Sequence, residues 1–295
     1  MHPRFFPNLL HFGPFEGIPA YGAMLALGFL VALRVAIALA KKSGVHPDRL
    51  WDLWVGCLLG GIVGSRIWYI AQFFEEFRTP SGGVNIAGFF KMWNGGLVFY
   101  GGFIGALVVA VVYIAVTRLR LGQVLDVLAP GVAVGLGIGR VGCFLNGCCW
   151  GKPTDLPWGV SFPEVAYTVG GTAHSSPTFM QHLYFGIVQK GWGASMPVHP
   201  TQLYAMAANW SIFLLLFVFF PHRKAHGEVA SLLLFLYGIQ RFVVEFFRGD
   251  KMPFALGLTL AQWTSLASLA VGLVAFIILR ARSGGRKLAV PEVQS

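Results

Sequence analysis

Two arginines, Arg140 and Arg241, sit inside long apolar runs where a permanent charge is costly. A guanidinium in such a place needs a partner. Tyr237, Arg241 and Glu245 are spaced four apart, which puts them on one face of a helix. Glu245 can pair with Arg241 and orient it while leaving part of its fork free. With Arg66 and Arg248 added, the cations exceed the acids in these runs. An excess of guanidinium in low dielectric calls for an anion, and the planar arginine fork matches phosphate. At membrane depth, the anion to hand is the phosphate of a phospholipid.

The elements that must position these groups are helices in a bilayer. Of the 295 residues, 56% are hydrophobic and 12% charged. Soluble domains carry about 25% charged residues. Mean hydropathy is +0.66. The net charge of +10 would suggest nucleic acid on a soluble protein. Here the basic residues fall mostly in short loops and the C-terminal tail, which is a topology signal, and no nucleic-acid partner is expected. Met1 to Pro19 lacks the layout of a cleavable signal peptide and reads as an interfacial segment.

Seven runs are near the roughly 20 residues a spanning helix needs: 18–40, 51–73, 95–117, 122–146, 199–220, 228–248 and 257–280. The fold class is thus an all-α polytopic membrane protein, with about seven transmembrane helices and a small periplasmic head. A single transmembrane domain, 1–282, precedes a disordered tail, 283–295. Lys41, Lys42, Arg49, Arg118, Arg120, Arg223, Lys224, Arg280, Arg282, Arg286 and Lys287 all fall on one side, the cytoplasmic one. That puts the N-terminus outside and the C-terminus inside. An arm at about 74–94 and the head at about 147–198 lie on the periplasmic side.

Depth arithmetic at about 1.5 Å per residue groups the polar residues. Arg66, Arg140, Arg241 and Glu245 lie past the middle of outward-going runs. Tyr21, Tyr100, Asn146, His199, Gln202 and Tyr204 begin or end other runs at the same level. Arg34 lies near an inner end and can snorkel. Asp126 suits the N-terminus of its own run. Around Arg140, Gly137, Gly139, Gly142 and Gly147 let a ligand or other backbones approach, the Arg241 helix among them. Cys143, Cys148 and Cys149 sit in the same stretch without paired metal spacing, so neither a metal nor another cofactor is expected. They read as apolar fillers, a Cys143–Cys148 disulfide, or a covalent relay.

Several motifs carry a family resemblance: Tyr21-Gly22, Gly64-Ser65-Arg66, Gly95-Gly96 with Gly101-Gly102, Gly139-Arg140-Val141-Gly142-Cys143-Phe144-Leu145-Asn146-Gly147, His199-Pro200-Thr201-Gln202-Leu203-Tyr204, and Tyr237-Gly238 followed by Arg241, Glu245 and Arg248. Over about 15–280 the chain resembles bacterial prolipoprotein diacylglyceryl transferases. The resemblance implies a bacterial inner-membrane enzyme of lipoprotein maturation. It would transfer the diacylglyceryl group of phosphatidylglycerol to the lipobox cysteine of a prolipoprotein signal peptide, forming a thioether and releasing glycerol phosphate. Arg140 and Arg241 match the family's essential arginines, and Tyr21, Asn146, Gly151 and Glu245 match other important positions. Tyr100 stands where the family commonly has histidine, Cys143 replaces an asparagine, Cys148 a glutamate, and Ala205 another glutamate.

The expected site follows. Arg140 and Arg241 hold phosphate and stabilise developing charge. Tyr21, Arg66, Asn146, Gly151, Glu245 and Arg248 complete the phospholipid site. Tyr100 or His199 takes the thiol proton, and Gln202, Tyr204 and Tyr237 support. Other readings are a paralogue with a different lipid donor or acceptor, and a phospholipid-binding membrane protein without chemistry.

Overall fold

The apolar runs form helices because a backbone in hydrocarbon must satisfy its own hydrogen bonds. In this computed structural model, residues 10–12, 15–18, 20–78, 83–90, 96, 98–165, 167–169, 172–250 and 254–284 are described. Expectations for the rest of the N-terminal segment, the tip of the arm, Gly95 and the tail beyond Gly284 lie outside them. Among the described residues, six helices are long and apolar enough to cross a membrane: α1 (Ala20–Ala40), α2 (Pro47–Gln72), α5 (Leu121–Asn146), α7 (Thr201–Phe219), α8 (Glu228–Phe246) and α9 (Leu260–Arg282). A shorter apolar helix, α4 (Phe99–Val116), is the seventh expected run. The protein is a multi-pass membrane protein. Shorter elements are the hairpin strands β1 (Leu10–Phe12) and β2 (Phe15–Ile18), helix α3 (Ile86–Phe90), the strands β3 (Tyr167–Val169) and β4 (Thr172–His174), and α6 (Pro177–Tyr184).

Ends move from the expected limits for local reasons. Helix α2 starts four residues earlier than expected because Pro47 can occupy a first helical turn, where no N–H is needed. Helix α9 starts later, at Leu260, because Thr259 and Gln262 form a reciprocal capping box.

The contacts divide the chain into two units. One holds residues 1–36 and 125–289, the other 37–124 and 290–295. Within the second, α2 and α4 pack backbone to backbone. Added Cβ atoms at Gly64 and Gly105 would lie 2.9 and 3.0 Å from each other's Cα. Gly60, Gly64, Gly101 and Gly105 supply the small-residue spacing that lets helices meet in lipid without a hydrophobic drive.

Within the first unit, α8 packs on both α7 and α9, and Gly28 of α1 meets Gly135 of α5. Asp126 corrects an expectation. Its carboxylate accepts from the backbone N–H groups of Gly227, Val229 and Ala230, at 2.8–3.0 Å. It therefore caps α8, a partner about a hundred residues away, rather than its own helix. The head is fastened by a small core of Phe144, Trp150, Val160, Phe162 and Val198, with Leu203 packed against it. Trp150 donates to Gln181 at 2.5 Å and meets the edge-on ring of fully buried His182, 4.5 Å between centroids.

Candidate functional site

Three arginines from the ends of α5 and α8 meet in the first unit, and each is held differently. Arg248, just past α8, is buried and chelated by Asp250 through two bonds of 2.9 and 2.6 Å. Arg241 lies 2.7 Å from Glu245, as the four-residue spacing predicts. The contact is an ion pair made through one terminal nitrogen of the guanidinium. The fork of Arg241 is oriented without being consumed. Arg248 lies 3.9 Å from the same Glu245 oxygen that faces Arg241, and the other Glu245 oxygen accepts from the hydroxyl of Thr259 at 2.8 Å. Arg140, half-buried in the last turns of α5, has no hydrogen bond or ion pair among the described residues. It lies within electrostatic reach of Arg241 and Tyr21.

The positive charge is therefore incompletely answered. Glu245 faces Arg241 and Arg248, and Asp250 faces Arg248, so among the described residues no carboxylate is paired with Arg140. A low-dielectric site that keeps an unpaired guanidinium is prepared for an anion.

Backbone crossings hold the arginines in place. The N–H of Gly151 donates to the His199 carbonyl at 3.1 Å, and Lys152 N–H donates to the Phe247 carbonyl at 2.7 Å. Gly151 also bridges to Arg248, antiparallel. This joins the head to the start of α7 and the end of α8. A Cβ at Gly151 would meet the His199 side chain at 2.5 Å and the Phe247 carbonyl at 2.9 Å, so only glycine fits. Thr201 and Gln202, in the first turn of α7, donate to the carbonyls of Cys149 and Cys148, each at 2.7 Å. His199 Nδ1 lies 3.2 Å from the Tyr204 hydroxyl, which accepts from Trp158 at 2.8 Å. His199 and Tyr204 both pack against Phe247, with ring centroids 5.3 and 6.0 Å away.

The glycines around Arg140 serve other neighbours than expected. A Cβ at Gly142 would touch Met24 and Tyr21 of α1, at 3.0 and 3.3 Å, and Gly137 receives the indole of Trp210 from α7. Gly139 has open space beside it. Gly147 meets Phe162 and Ser176 of the head, so the close partners are α1, α7 and the head, not the Arg241 helix.

Of the expected site residues, Tyr21, Arg140, Asn146, Gly151, His199, Gln202, Tyr204, Tyr237, Arg241, Glu245 and Arg248 belong to this unit. Arg66 and Tyr100 belong to the other. Arg66 donates to the carbonyls of Phe89, Gly96 and Gly88, at 2.8, 3.0 and 2.7 Å, and stacks over Tyr69 and Phe77. Tyr100 is 69% exposed. Asp250 and Thr259 were missed. The Thr259-x-x-Gln262 spacing signals a helix start, but not that its hydroxyl would also reach Glu245.

Cys143, Cys148 and Cys149 are free thiols whose sulfur atoms all lie within 4.8 Å of one another. Hydrogen bonding from the Cys143 and Cys148 thiols holds the Cys149 thiol far below its usual range, and the charges of Arg248 and Arg140 add to the effect.

Between α7 and α8 runs an apolar groove of about 530 Å³, with Tyr204 and Phe247 among its lining and Ile212, Leu236 and Val243 along it.

Residues 7–278 match the family described as prolipoprotein diacylglyceryl transferase. The chain is 33% identical to phosphatidylglycerol–prolipoprotein diacylglyceryl transferase of Cupriavidus metallidurans, covering 98% of each chain. It is 31% identical to the protein of that name from Burkholderia orbicola, over 94% of this chain and 95% of the relative. The similarly named protein of Clostridium tetani is 32% identical, over 90% and 94%.

Proposed function

The chain belongs to the prolipoprotein diacylglyceryl transferase family, and from that premise we propose that it moves the diacylglyceryl group of phosphatidylglycerol onto the thiol of a prolipoprotein cysteine. The observation that carries the site assignment is Arg140. It is half-buried, has no hydrogen bond or ion pair among the described residues, and is electrostatically close to Arg241, which meets Glu245 through one terminal nitrogen. The relatives named for this activity act on phosphatidylglycerol and prolipoprotein, and a phosphate diester is the anion the two guanidinium groups fit.

The chemistry is displacement at the glycerol carbon that bears the phosphate. A sulfur–carbon bond forms and the carbon–oxygen bond to phosphate breaks. The diester carries one negative charge and the departing glycerol phosphate, before it takes a proton, carries two. Arg140 and Arg241 thus meet more charge in the transition state than in the bound lipid, which is the condition for accelerating the step. The proton lost by the thiol balances the charge gained by the leaving phosphate. His199 relays it. Glu245 aims Arg241, Arg248 backs Glu245, and Tyr21, Asn146 and Gly151 border the headgroup. Gln202, Tyr204 and Tyr237 support these groups. Arg66 supports by holding the arm to its helix. The groove between α7 and α8 seats an acyl chain.

In this reading the enzyme is a bacterial inner-membrane protein with its N-terminus outside and its C-terminus inside. The arm and head face the periplasm, where the signal peptide presents its lipobox cysteine. The test is purified protein with phosphatidylglycerol and a lipobox peptide. Thioether peptide with an equal amount of glycerol phosphate is the expected product, and Arg140→Ala abolishes it. Normal turnover by Arg140→Ala sinks the clamp. Bound lipid without turnover by the unaltered protein sinks the activity.

A further inference from the structure

We propose that Cys143, Cys148 and Cys149 form a three-thiolate site for a soft metal ion, with cuprous copper the ion it suits best. The family reading does not require this site. Three features of the chain build it.

The first is geometry. An ion about 2.3 Å from each of three sulfurs in a trigonal plane needs those sulfurs roughly 4 Å apart. The three sulfur atoms already lie within 4.8 Å of one another.

The second is preorganisation. Cys143 is on the last turns of α5, and its carbonyl accepts from Cys148 N–H at 3.1 Å. Gly147 turns the chain at φ +70°, and Cys149 sits at φ +61°, a region that costs a non-glycine residue about 1 kcal/mol or more. Thr201 and Gln202 pin the carbonyls of Cys149 and Cys148 from α7. This fastened turn brings two adjacent cysteines onto one point together with Cys143. Adjacent cysteines otherwise tend to diverge.

The third is charge and ligand type. A cuprous ion with three thiolates carries a net charge of minus two. Arg248 and Arg140 both act on Cys149 electrostatically, so the complex forms beside positive charge. Thiolate ligands select soft ions such as Cu(I) and Zn(II). Among the described residues the cluster contains no histidine or carboxylate to complete a tetrahedron. That leaves three-coordinate copper ahead of zinc, which takes four ligands in structural sites. Cys57, in the other unit, lies outside the cluster.

The test uses full-length, reduced protein in detergent, without oxygen, and Cu(I) delivered from a coloured chelator. One ion per chain is expected. In the unaltered protein, Cu(I) should protect three of the four thiols from alkylation, read by intact mass. Cys57→Ser should bind like the parent. Cys143→Ser, Cys148→Ser and Cys149→Ser should each weaken binding by more than the roughly 10–100-fold that loss of an outer-shell partner costs. No uptake by the unaltered protein overturns the site. So does uptake that leaves all thiols open to alkylation, or affinity retained in Cys149→Ser. The alkylation readout needs no variant, so a serine variant that fails to fold does not rescue or sink the proposal.

Discussion

Replacing Glu245 by glutamine isolates the charge that orients the clamp. The amide keeps the size of the carboxylate and can still accept from Thr259, now 2.8 Å away. It removes the counter-charge 2.7 Å from Arg241 and 3.9 Å from Arg248. At an effective dielectric of about 20 these contacts are worth roughly 6 and 4 kcal/mol of gross attraction. Most of that repays the hydration lost on burial. Breaking a buried pair by deleting one partner costs about 3–5 kcal/mol net. The Glu245 side chain is fully buried and that of Arg241 only 17% exposed, so little solvent screening discounts the figure. For a chain of this size, about 2–4 °C per kcal/mol makes the expected fall in unfolding temperature roughly 6–20 °C. The assay is thermal unfolding of detergent-solubilised parent and variant at one heating rate, because irreversible unfolding makes the midpoint rate-dependent. Turnover is measured well below both midpoints. A misaimed Arg241 should lower kcat more than it raises KM, since its largest contribution is to charge that appears in the transition state. An unchanged midpoint together with an unchanged kcat would refute both the energetic and the catalytic argument.

Gly151→Ala should cost at least the 1–3 kcal/mol of an overpacked core and reduce turnover, because the new methyl meets His199 and the Phe247 carbonyl; an unaltered midpoint would contradict the close crossing. Thr259→Val removes both the α9 cap and the hydroxyl on Glu245, so its loss should exceed the ~1 kcal/mol typical of a cap alone, as thermal unfolding can show. Burial lowers the pKa of His182 from its ordinary 6.5, so the folded state resists protonation where the unfolded chain accepts it. Stability should therefore decline as pH falls through about 6.5, by at most about 1.4 kcal/mol per pH unit, and His182→Phe should lose that component when midpoints are followed across pH.

The sequence by itself determined that the protein is a set of apolar helices and that Arg140, Arg241 and Glu245 were the residues to watch. Those conclusions need only composition and local spacing. Burial of charge is costly wherever it occurs, and four residues make one helical turn, so the Arg241–Glu245 pair was readable before any fold was known. Tertiary structure decided who answers whom. Asp126 caps α8, Arg66 is spent on carbonyls of its own unit, Asp250 satisfies Arg248, and Arg140 is left over. The glycines near Arg140 admit α1 and α7. The three cysteines become one cluster only when a left-handed turn at Gly147 and Cys149, fastened from α7, brings their sulfurs together. Hydrogen-bond partners far apart in the chain leave no periodicity in it. Where a donor is spent, and which charge remains unmatched, is settled by packing between helices.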